Sequence, residues 1–171
     1  MKKSSKLTGK IWLIINENGN LIEDIDTDMI FHNQYLAITD IKKMGQYTFD
    51  NLTNWKDFAA KAEKDDIVIV GSNFGAGSSR QQAVDCFTSL GIQAIIAESF
   101  GSIYKRNAIN SGTPALTIKS INLADLKQRQ QLTINLETGE TSSEALQIEP
   151  FSIVQMDIYQ AGNLFEYGKN E

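Results

Sequence analysis

The 171-residue sequence has little cysteine, histidine or proline, and the first two scarcities exclude a class of site. A single cysteine, Cys86, cannot form an intramolecular disulfide. Cys86 and the one histidine, His32, cannot by themselves supply the ligands that a zinc site requires. If a metal or an iron–sulfur cluster matters to this protein, another chain must provide most of its ligands.

Excess positive charge and long apolar runs are also absent. The formal net charge of -5 argues against DNA or another polyanion as a partner. The apolar run near the N-terminus, IWLII at 11–15, is too short for a signal peptide or a membrane span. We therefore expect a cytoplasmic protein with no nucleic-acid or membrane partner. The length and composition fit one globular domain over residues 1–171.

The middle of the sequence alternates between strand-like and helix-like segments. Apolar, β-branched runs predict strands at 66–70, 92–97 and 114–118. Between them, helical spacing predicts helices at 78–90 and 101–110. This βαβαβ unit implies a parallel sheet with right-handed crossovers.

The segments that flank this unit are less regular. Residues 23–40 have no clean period and favour an ordered loop that runs into a short helix. The other predictions are a strand at 10–16, a helix at 54–64 capped by Asn54, a hairpin-like pair at 131–140 and 144–148, and a helix within 150–164 with Phe151, Val154 and Ile158 on one face.

The stretch GSNFGAGSSRQQAV, 71–84, joins the second predicted strand to the helix that follows it. The first amides of a helix have no partner within the helix, and the helix dipole favours an anion there. Ser78 and Ser79 lie where an N-cap hydroxyl would lie, and Arg80 can bind a carboxylate or phosphate with two N–H groups. We expect a site for such a ligand; the alternative is a serine that caps a helix and an arginine that pairs at the surface.

Two common phosphate-binding motifs do not fit this stretch. A P-loop requires a lysine before the final serine or threonine, and Gly77 occupies that position. The dinucleotide fingerprint requires a glycine three residues after its second glycine, and Arg80 occupies that position. A nucleoside triphosphatase and a dinucleotide-binding protein are therefore not indicated.

Four motifs, in order along the chain, resemble the swivel domain of the aconitase superfamily. They are DIDTDMI at 24–30, QYLAITD at 34–40, the glycine stretch at 71–84, and IIAESFGSIYKRNAINSGTPAL at 95–116. Within that superfamily they are most similar to small subunits of the 3-isopropylmalate dehydratase group, which includes homoaconitase and dimethylmalate dehydratase. The resemblance covers about residues 8–165. It implies an α/β fold, a swivelling β/β/α domain whose mixed, partly parallel sheet or barrel is flanked by helices.

The same resemblance implies a chemistry. Members of the group remove water from a 2-hydroxy acid and add it back to give an isomer. A [4Fe–4S] cluster on a separate large subunit binds the substrate, so this chain is expected to bind no metal and to be inactive alone. The small subunit supplies a general base and groups that bind carboxylates. The expected substrate is isopropylmalate, in leucine biosynthesis.

The motifs assign roles to individual residues. Ser78 matches the catalytic base, whose alkoxide would need the unpaired amides of the loop for stabilisation. Asp28 matches an acidic neighbour of the active site or, alternatively, an aspartate that only forms a turn. Thr27 could likewise only hold that turn. The substrate-binding residues implied by the motifs are Gly77, Ser79, Arg80, Thr27 and Asp28.

The second motif implies a specificity loop formed by Tyr35, Leu36, Ala37 and Ile38. Ala37 stands where homoaconitase-type relatives carry an arginine for a distal carboxylate. An apolar distal group is therefore expected, which favours isopropylmalate, with methyl-substituted malates next. His32, in this region, is expected to be a structural or exposed side chain.

Other residues are expected to have structural roles, and two further hypotheses come from other classes of protein. Cys86 is expected to pack inside a helix, and Tyr104, Lys105 and Arg106 to lie on a solvated helix face. The alternative for Arg106 or Asn107 is a contact with the partner subunit. A stand-alone module that binds an organic acid or phosphate at the same loop would show carboxylate affinity without a partner. A structural subunit that has lost catalysis is disfavoured by the intact loop.

Overall fold

The structure is a computed structural model, and it describes residues 2–169. Its centre is a mixed sheet with the strand order β5-β1-β2-β3-β4-β6. The strands are β1 (Lys6–Leu13), β2 (Ile67–Val70), β3 (Ala94–Ala97), β4 (Ala115–Ile121), β5 (Gln131–Asn135) and β6 (Leu146–Ile148). Strands β1 to β4 pair in parallel, while β5 and β6 pair antiparallel with the two ends of that set. The predicted βαβαβ unit is confirmed.

Helices pack on both faces of this sheet. They are α1 (Thr27–Ile30), α2 (Phe58–Lys61), α3 (Gln82–Leu90), α4 (Ser102–Asn110), α5 (Ile153–Ala161) and α6 (Leu164–Lys169), with single 3-10 turns at Asn33–Tyr35, Ile41–Lys43, Gly45–Tyr47 and Leu123–Asp125. Alternate residues of a strand point to opposite faces. In β2, Val68 and Val70 accordingly belong to one buried cluster, with α3 and α4, and Ile67 and Ile69 to the other, with α5. No helix within residues 2–169 is long and apolar enough to cross a membrane.

The predicted pairing of 131–140 with 144–148 is wrong. The parallel strands leave unpaired backbone groups at both edges, which must be covered. Strand β5 covers one edge by pairing with β1, and β6 covers the opposite edge by pairing with β4. Residues after β5 fold back on it at Thr141, and Ile148 donates a hydrogen bond to the Gly139 carbonyl at 2.9 Å. This turn connects the two edges, so the sheet curls towards a barrel.

Three other element boundaries differ from the predictions. Strand β1 begins four residues before the predicted 10–16. Helix α2 covers only four residues of the predicted 54–64, because Asn54 adopts a φ of +69°, which forms a turn and not a cap. Helix α5 is capped by Ser152, which forms a capping box with Gln155, and Val154 on it is exposed, in contrast to the prediction.

The glycine stretch after β2 is packed between the segment before α1 and the first turn of α4. The Gly75 amide donates to the Ile25 carbonyl at 2.7 Å, and the Thr27 amide donates to the Ala76 carbonyl at 2.9 Å. Gly75 has a φ of +78°, and a Cβ atom at this position would overlap the buried ring of Tyr104. Tyr104 is therefore a core residue and not part of a solvated face, because its ring fills the space beside this glycine.

We expect Gly75→Ala to destabilise the protein far more than Gly19→Ala. Both glycines have a positive φ, but a Cβ atom at Gly19 would meet nothing within 4 Å. The backbone strain alone should cost about 1–2 kcal/mol at either position. Overlap with Tyr104 should add roughly 1–3 kcal/mol at Gly75. Urea unfolding of the two variants measures the difference, and equal losses would show that the ring moves aside freely.

Candidate active site

The glycine stretch places Ser78 at the surface, beside the first turn of α1. Its hydroxyl oxygen lies 3.4 Å from the Thr27 hydroxyl oxygen, although 51 residues separate the two in sequence. Gly77, with a φ of +100°, turns the chain immediately before Ser78. Thr27 does not hold the turn itself, since the side chain of Asp26 accepts the hydrogen bond from the Met29 amide. Of the two hydroxyls, that of Thr27 is buried and that of Ser78 is exposed, so a ligand can reach the pair only from the Ser78 side.

The expectation that Ser78 or Ser79 caps the following helix is wrong. Helix α3 begins at Gln82, and its N-cap residue is Gln81, whose side chain makes no capping bond. The chain remains irregular through Arg80 because that side chain turns back towards α1. The amides of residues 77–81 donate no hydrogen bond to any other part of the described chain. Consecutive unpaired amides of this kind can bind an anion without a helix end.

Arg80 is held on one edge and free on the other. Its Nη1 atom donates to the Asp28 carboxylate at 3.1 Å and to the Phe31 carbonyl at 2.6 Å. Its Nε and Nη2 atoms donate to no other residue between 2 and 169. Since the side chain is only 10% exposed, the guanidinium is fixed in orientation. The free edge has the planar arrangement of two N–H groups that can pair with a carboxylate.

Asp28 is an ionised hub at the start of α1. Its Oδ1 atom accepts hydrogen bonds from Arg80 and from the Asn33 amide, the latter at 2.9 Å. Its Oδ2 atom accepts one from the side-chain Nδ2 of Asn51 at 3.4 Å. Partial burial raises the pKa of this carboxyl, but the hydrogen bonds from Arg80 and Asn33, together with the charges of His32 and Arg80, outweigh it and hold the pKa below its ordinary value. His32 caps the next 3-10 turn through Nδ1, and its Nε2 atom is 4.0 Å from Asp28. The structure thus brings Asp28 and Arg80 into direct contact.

The predicted specificity loop divides into anchors and exposed residues. Tyr35 stacks on Tyr47 with ring centroids 3.9 Å apart and donates to Asp50 at 2.6 Å, while Ile38 packs against the core. Leu36 and Ala37 are exposed. The Leu36 carbonyl accepts a hydrogen bond from Gln82 at 3.2 Å, so the exposed pair lies beside the start of α3.

Helix α4 adds polar contacts that the sequence did not predict. Asn107 donates from Nδ2 to the Ser79 hydroxyl oxygen at 3.3 Å, and Ser111 accepts from Gln81 at 2.8 Å. The signal available in the sequence was the spacing of these two side chains, four residues apart on one helix face. That spacing could not reveal which loop the face would meet.

The aconitase C-terminal domain family model matches residues 5–121 of the chain. This chain belongs to the aconitase C-terminal domain family. The family and the α/β fold predicted from the motifs are confirmed.

Relatives in this family match nearly the whole chain. The chain is 36% identical over 149 residues to the 3-isopropylmalate dehydratase small subunit of Saccharolobus islandicus, covering 86% of this chain and 88% of the relative. It is 35% identical over 171 residues to the isopropylmalate/citramalate isomerase small subunit of Methanocaldococcus jannaschii, covering 98% and 96%. A crystal structure of 3-isopropylmalate dehydratase (leuD) from Methanocaldococcus jannaschii superimposes with a TM-score of 0.81 at 29% identity, covering 96% of this chain and 94% of that one.

The described residues of this family member do not fit an iron–sulfur cluster. Cys86 is fully buried in α3, as predicted, and burial raises the pKa of its thiol to about 12. A protonated, buried thiol is not a metal ligand. Between residues 2 and 169 no group of three or more histidine, cysteine, aspartate or glutamate side chains could hold a metal ion.

The contact between Asp28 and Arg80 should appear in the pH dependence of stability. A carboxyl whose pKa is lowered by folding stabilises the native state at neutral pH, and this contribution is lost as the pH falls through the folded pKa. The difference in free energy of unfolding between wild type and Asp28→Asn should therefore be present at neutral pH and shrink below about pH 4. Urea unfolding across this range measures it.

An Arg80→Gln background provides the control for that experiment. Removing the guanidinium should raise the pKa of Asp28, which carbon-detected NMR of the carboxyl group would follow. If the Asp28 pKa is the same with and without Arg80, the guanidinium does not hold the charge of Asp28.

Proposed function

We propose that this chain is the small subunit of a heteromeric hydro-lyase that interconverts the isomers of an alkyl-substituted malate of the isopropylmalate type. The observation that carries the proposal is the glycine loop itself. It carries an exposed hydroxyl at Ser78 and, two residues further on, a guanidinium at Arg80 that is bound along one edge only, in a family whose relatives bear the name of that enzyme.

The substrate has two carboxylates, and the loop offers three kinds of donor for one of them. The free edge of Arg80 supplies two N–H groups in a planar fork. The Ser79 hydroxyl and the unpaired amides of residues 77–81 supply the others. Donors that are already fixed by the fold need no rearrangement when the substrate binds, which favours binding.

Ser78 is the proposed general base. A serine hydroxyl is a weak base, so its deprotonated form must be stabilised by neighbouring donors. The Thr27 hydroxyl at 3.4 Å and the loop amides can donate to it. In the dehydration step Ser78 takes the proton from the carbon beside one carboxylate, and the electron pair of that C–H bond forms the double bond. The hydroxyl on the adjacent carbon leaves with its bonding pair and becomes water by taking a second proton from an acid group, which the large subunit would supply. Rehydration with the opposite regiochemistry gives the isomer.

The remaining part of the active site belongs to a proposed partner. A [4Fe–4S] cluster held by a separate large subunit would supply Lewis acidity for the substrate hydroxyl. Ser78 and Ser79 are exposed in this chain, which fits a half-site that a second subunit covers. We accordingly propose that the chain is one domain, that it is inactive alone, and that it acts in the cytoplasm in leucine biosynthesis.

Methyl-substituted malates are the second candidate substrates. The Methanocaldococcus jannaschii relative is named an isopropylmalate/citramalate isomerase small subunit. Ala37, exposed beside the start of α3, has no charge with which to bind a distal carboxylate. Homocitrate and citrate are therefore less favoured. The hypothesis of a stand-alone binding module is not favoured by the names of the relatives.

Ser78→Ala should abolish turnover without preventing assembly. The chain would be reconstituted anaerobically with a cluster-bearing large subunit and assayed with isopropylmalate, citramalate, citrate and homocitrate. Loss of a general base lowers kcat by roughly 10²–10⁴-fold. Ser120→Ala, at an exposed position of β4, is the matched control and should retain the wild-type rate. A Ser78→Ala complex with near-wild-type turnover would remove the base assignment.

Ala37→Arg should shift substrate preference towards an acid with a distal carboxylate. A new guanidinium at this exposed position would pair with that carboxylate, and a pair worth about 1.4 kcal/mol changes the ratio of kcat/KM about tenfold. The measured quantity is the ratio for homocitrate over isopropylmalate. An unchanged ratio would place the distal group away from residues 35–38.

A further inference from the structure

Helix α4 and its C-cap residue contact the glycine stretch on both sides of Arg80. On one side Asn107 donates to the Ser79 hydroxyl oxygen at 3.3 Å. On the other side Gln81 donates to the Ser111 hydroxyl oxygen at 2.8 Å. Ser111 in turn donates to the backbone carbonyl of Asn107 at 2.8 Å, so the two attachments share one turn of the helix.

The direction of the Asn107 hydrogen bond fixes the role of the Ser79 hydroxyl. A side-chain NH₂ group can only donate, so the Ser79 oxygen acts as the acceptor in this contact. The hydroxyl hydrogen of Ser79 is then left to donate, and within residues 2–169 no other group accepts it. A carboxylate only accepts hydrogen bonds. The contact with Asn107 thus leaves the Ser79 hydroxyl free to donate a hydrogen bond to a substrate carboxylate.

The side chain of Gln81 is held by two hydrogen bonds. Its side-chain NH₂ donates to Ser111, the C-cap residue of α4, at 2.8 Å and to Asp85 on α3 at 3.1 Å. The backbone on either side of Arg80 is therefore tied to α4, although the loop amides themselves have no partner in the described chain.

We propose that Asn107 is a positioning residue for substrate binding, an inference that rests on the proposed function. It sets the Ser79 hydroxyl as a donor and, together with the link between Ser111 and Gln81, fixes the spacing between that hydroxyl and the Arg80 guanidinium. Asn107 does not touch the reacting atoms. It acts through Ser79.

The fold does not depend on Asn107. Helix α4 is anchored by Tyr104 and Ala108, which are 2% and 0% exposed, and the Tyr104 hydroxyl donates to the Ala83 carbonyl at 2.8 Å. Asn107 is only half-buried. Its replacement should change the binding loop and leave the core intact.

The test uses the complex of this chain with a cluster-bearing large subunit and isopropylmalate as substrate. Asn107→Ala should raise KM about three- to tenfold, the range expected for one hydrogen bond, with kcat changed much less. Asn107→Asp is isosteric but accepts a hydrogen bond from Ser79 and so diverts the hydroxyl inwards, which should raise KM further. Asn110→Ala, the same substitution on the same helix, is the control and should keep the wild-type KM.

The decisive measurement is a double-mutant cycle with Ser79→Ala. If Asn107 acts through Ser79, Asn107→Ala should have no further effect on KM once the Ser79 hydroxyl is absent. The inference is overturned if Asn107→Ala raises KM as much in the Ser79→Ala background as in the wild type, or if both Asn107 variants keep the wild-type KM. In either case, turnover by the wild-type complex would still support the proposed function. If Asn107→Ala lowers the melting temperature, the same KM measurements are made with the isosteric variant Asn107→Asp instead. A wild-type complex that turns over no hydroxy acid overturns both.

Discussion

The site depends on two backbone hydrogen bonds that clamp the glycine loop to the segment before α1. The bonds from Gly75 to Ile25 and from Thr27 to Ala76, at 2.7 and 2.9 Å, align two stretches of chain that lie about 50 residues apart in sequence. Once they are aligned, the side-chain contacts between Thr27 and Ser78 and between Asp28 and Arg80 follow from simple adjacency. Neither stretch could form the site alone, because each supplies only one member of each pair. The glycine at position 75 is what lets the backbones approach this closely, since any side chain there would collide with α4.

The sheet determines where this clamp lies. In a parallel sheet, loops that follow the strands gather at the carboxyl edge, where ligands of open α/β folds bind. The segment before α1 follows β1, the glycine loop follows β2, and α4 follows β3. Three consecutive neighbours in the sheet therefore deliver their connections to one edge. Strands β2 and β3 are buried on both faces, and this rigid base allows exposed side chains above it to hold fixed positions.

Local sequence patterns predicted the parts of this fold that are local in origin. The strands at 67–70 and 94–97 are buried on both faces, so their apolar runs are continuous and easy to recognise. The start of α3 was mispredicted because it depends on Arg80 reaching Asp28, 52 residues away. The partners of β5 and β6 depend on which sheet edges remain open, which no hairpin pattern encodes. The family motifs indicated Ser78 and Arg80, whereas the contact of Asn107 with Ser79 depends on how α4 packs against the loop, which no local pattern encodes.

Charge alone cannot explain how such a loop would select its substrate. The chain carries a formal net charge of -5, and Asp28 neutralises Arg80 along one edge. A dianionic acid therefore gains little from long-range attraction to this subunit, and salt screens what remains beyond about 10 Å. Short-range, directional donors must provide the recognition: the free edge of the guanidinium, the Ser79 hydroxyl and the row of unpaired amides. Such donors distinguish a carboxylate by its geometry. A carboxylate in the wrong position would lose water without gaining hydrogen bonds, which costs binding free energy. In the function proposed above, Asp28 and Asn107 would act alike, because each occupies one hydrogen-bonding direction of a proposed binding group, Arg80 or Ser79, and leaves the other direction for the ligand.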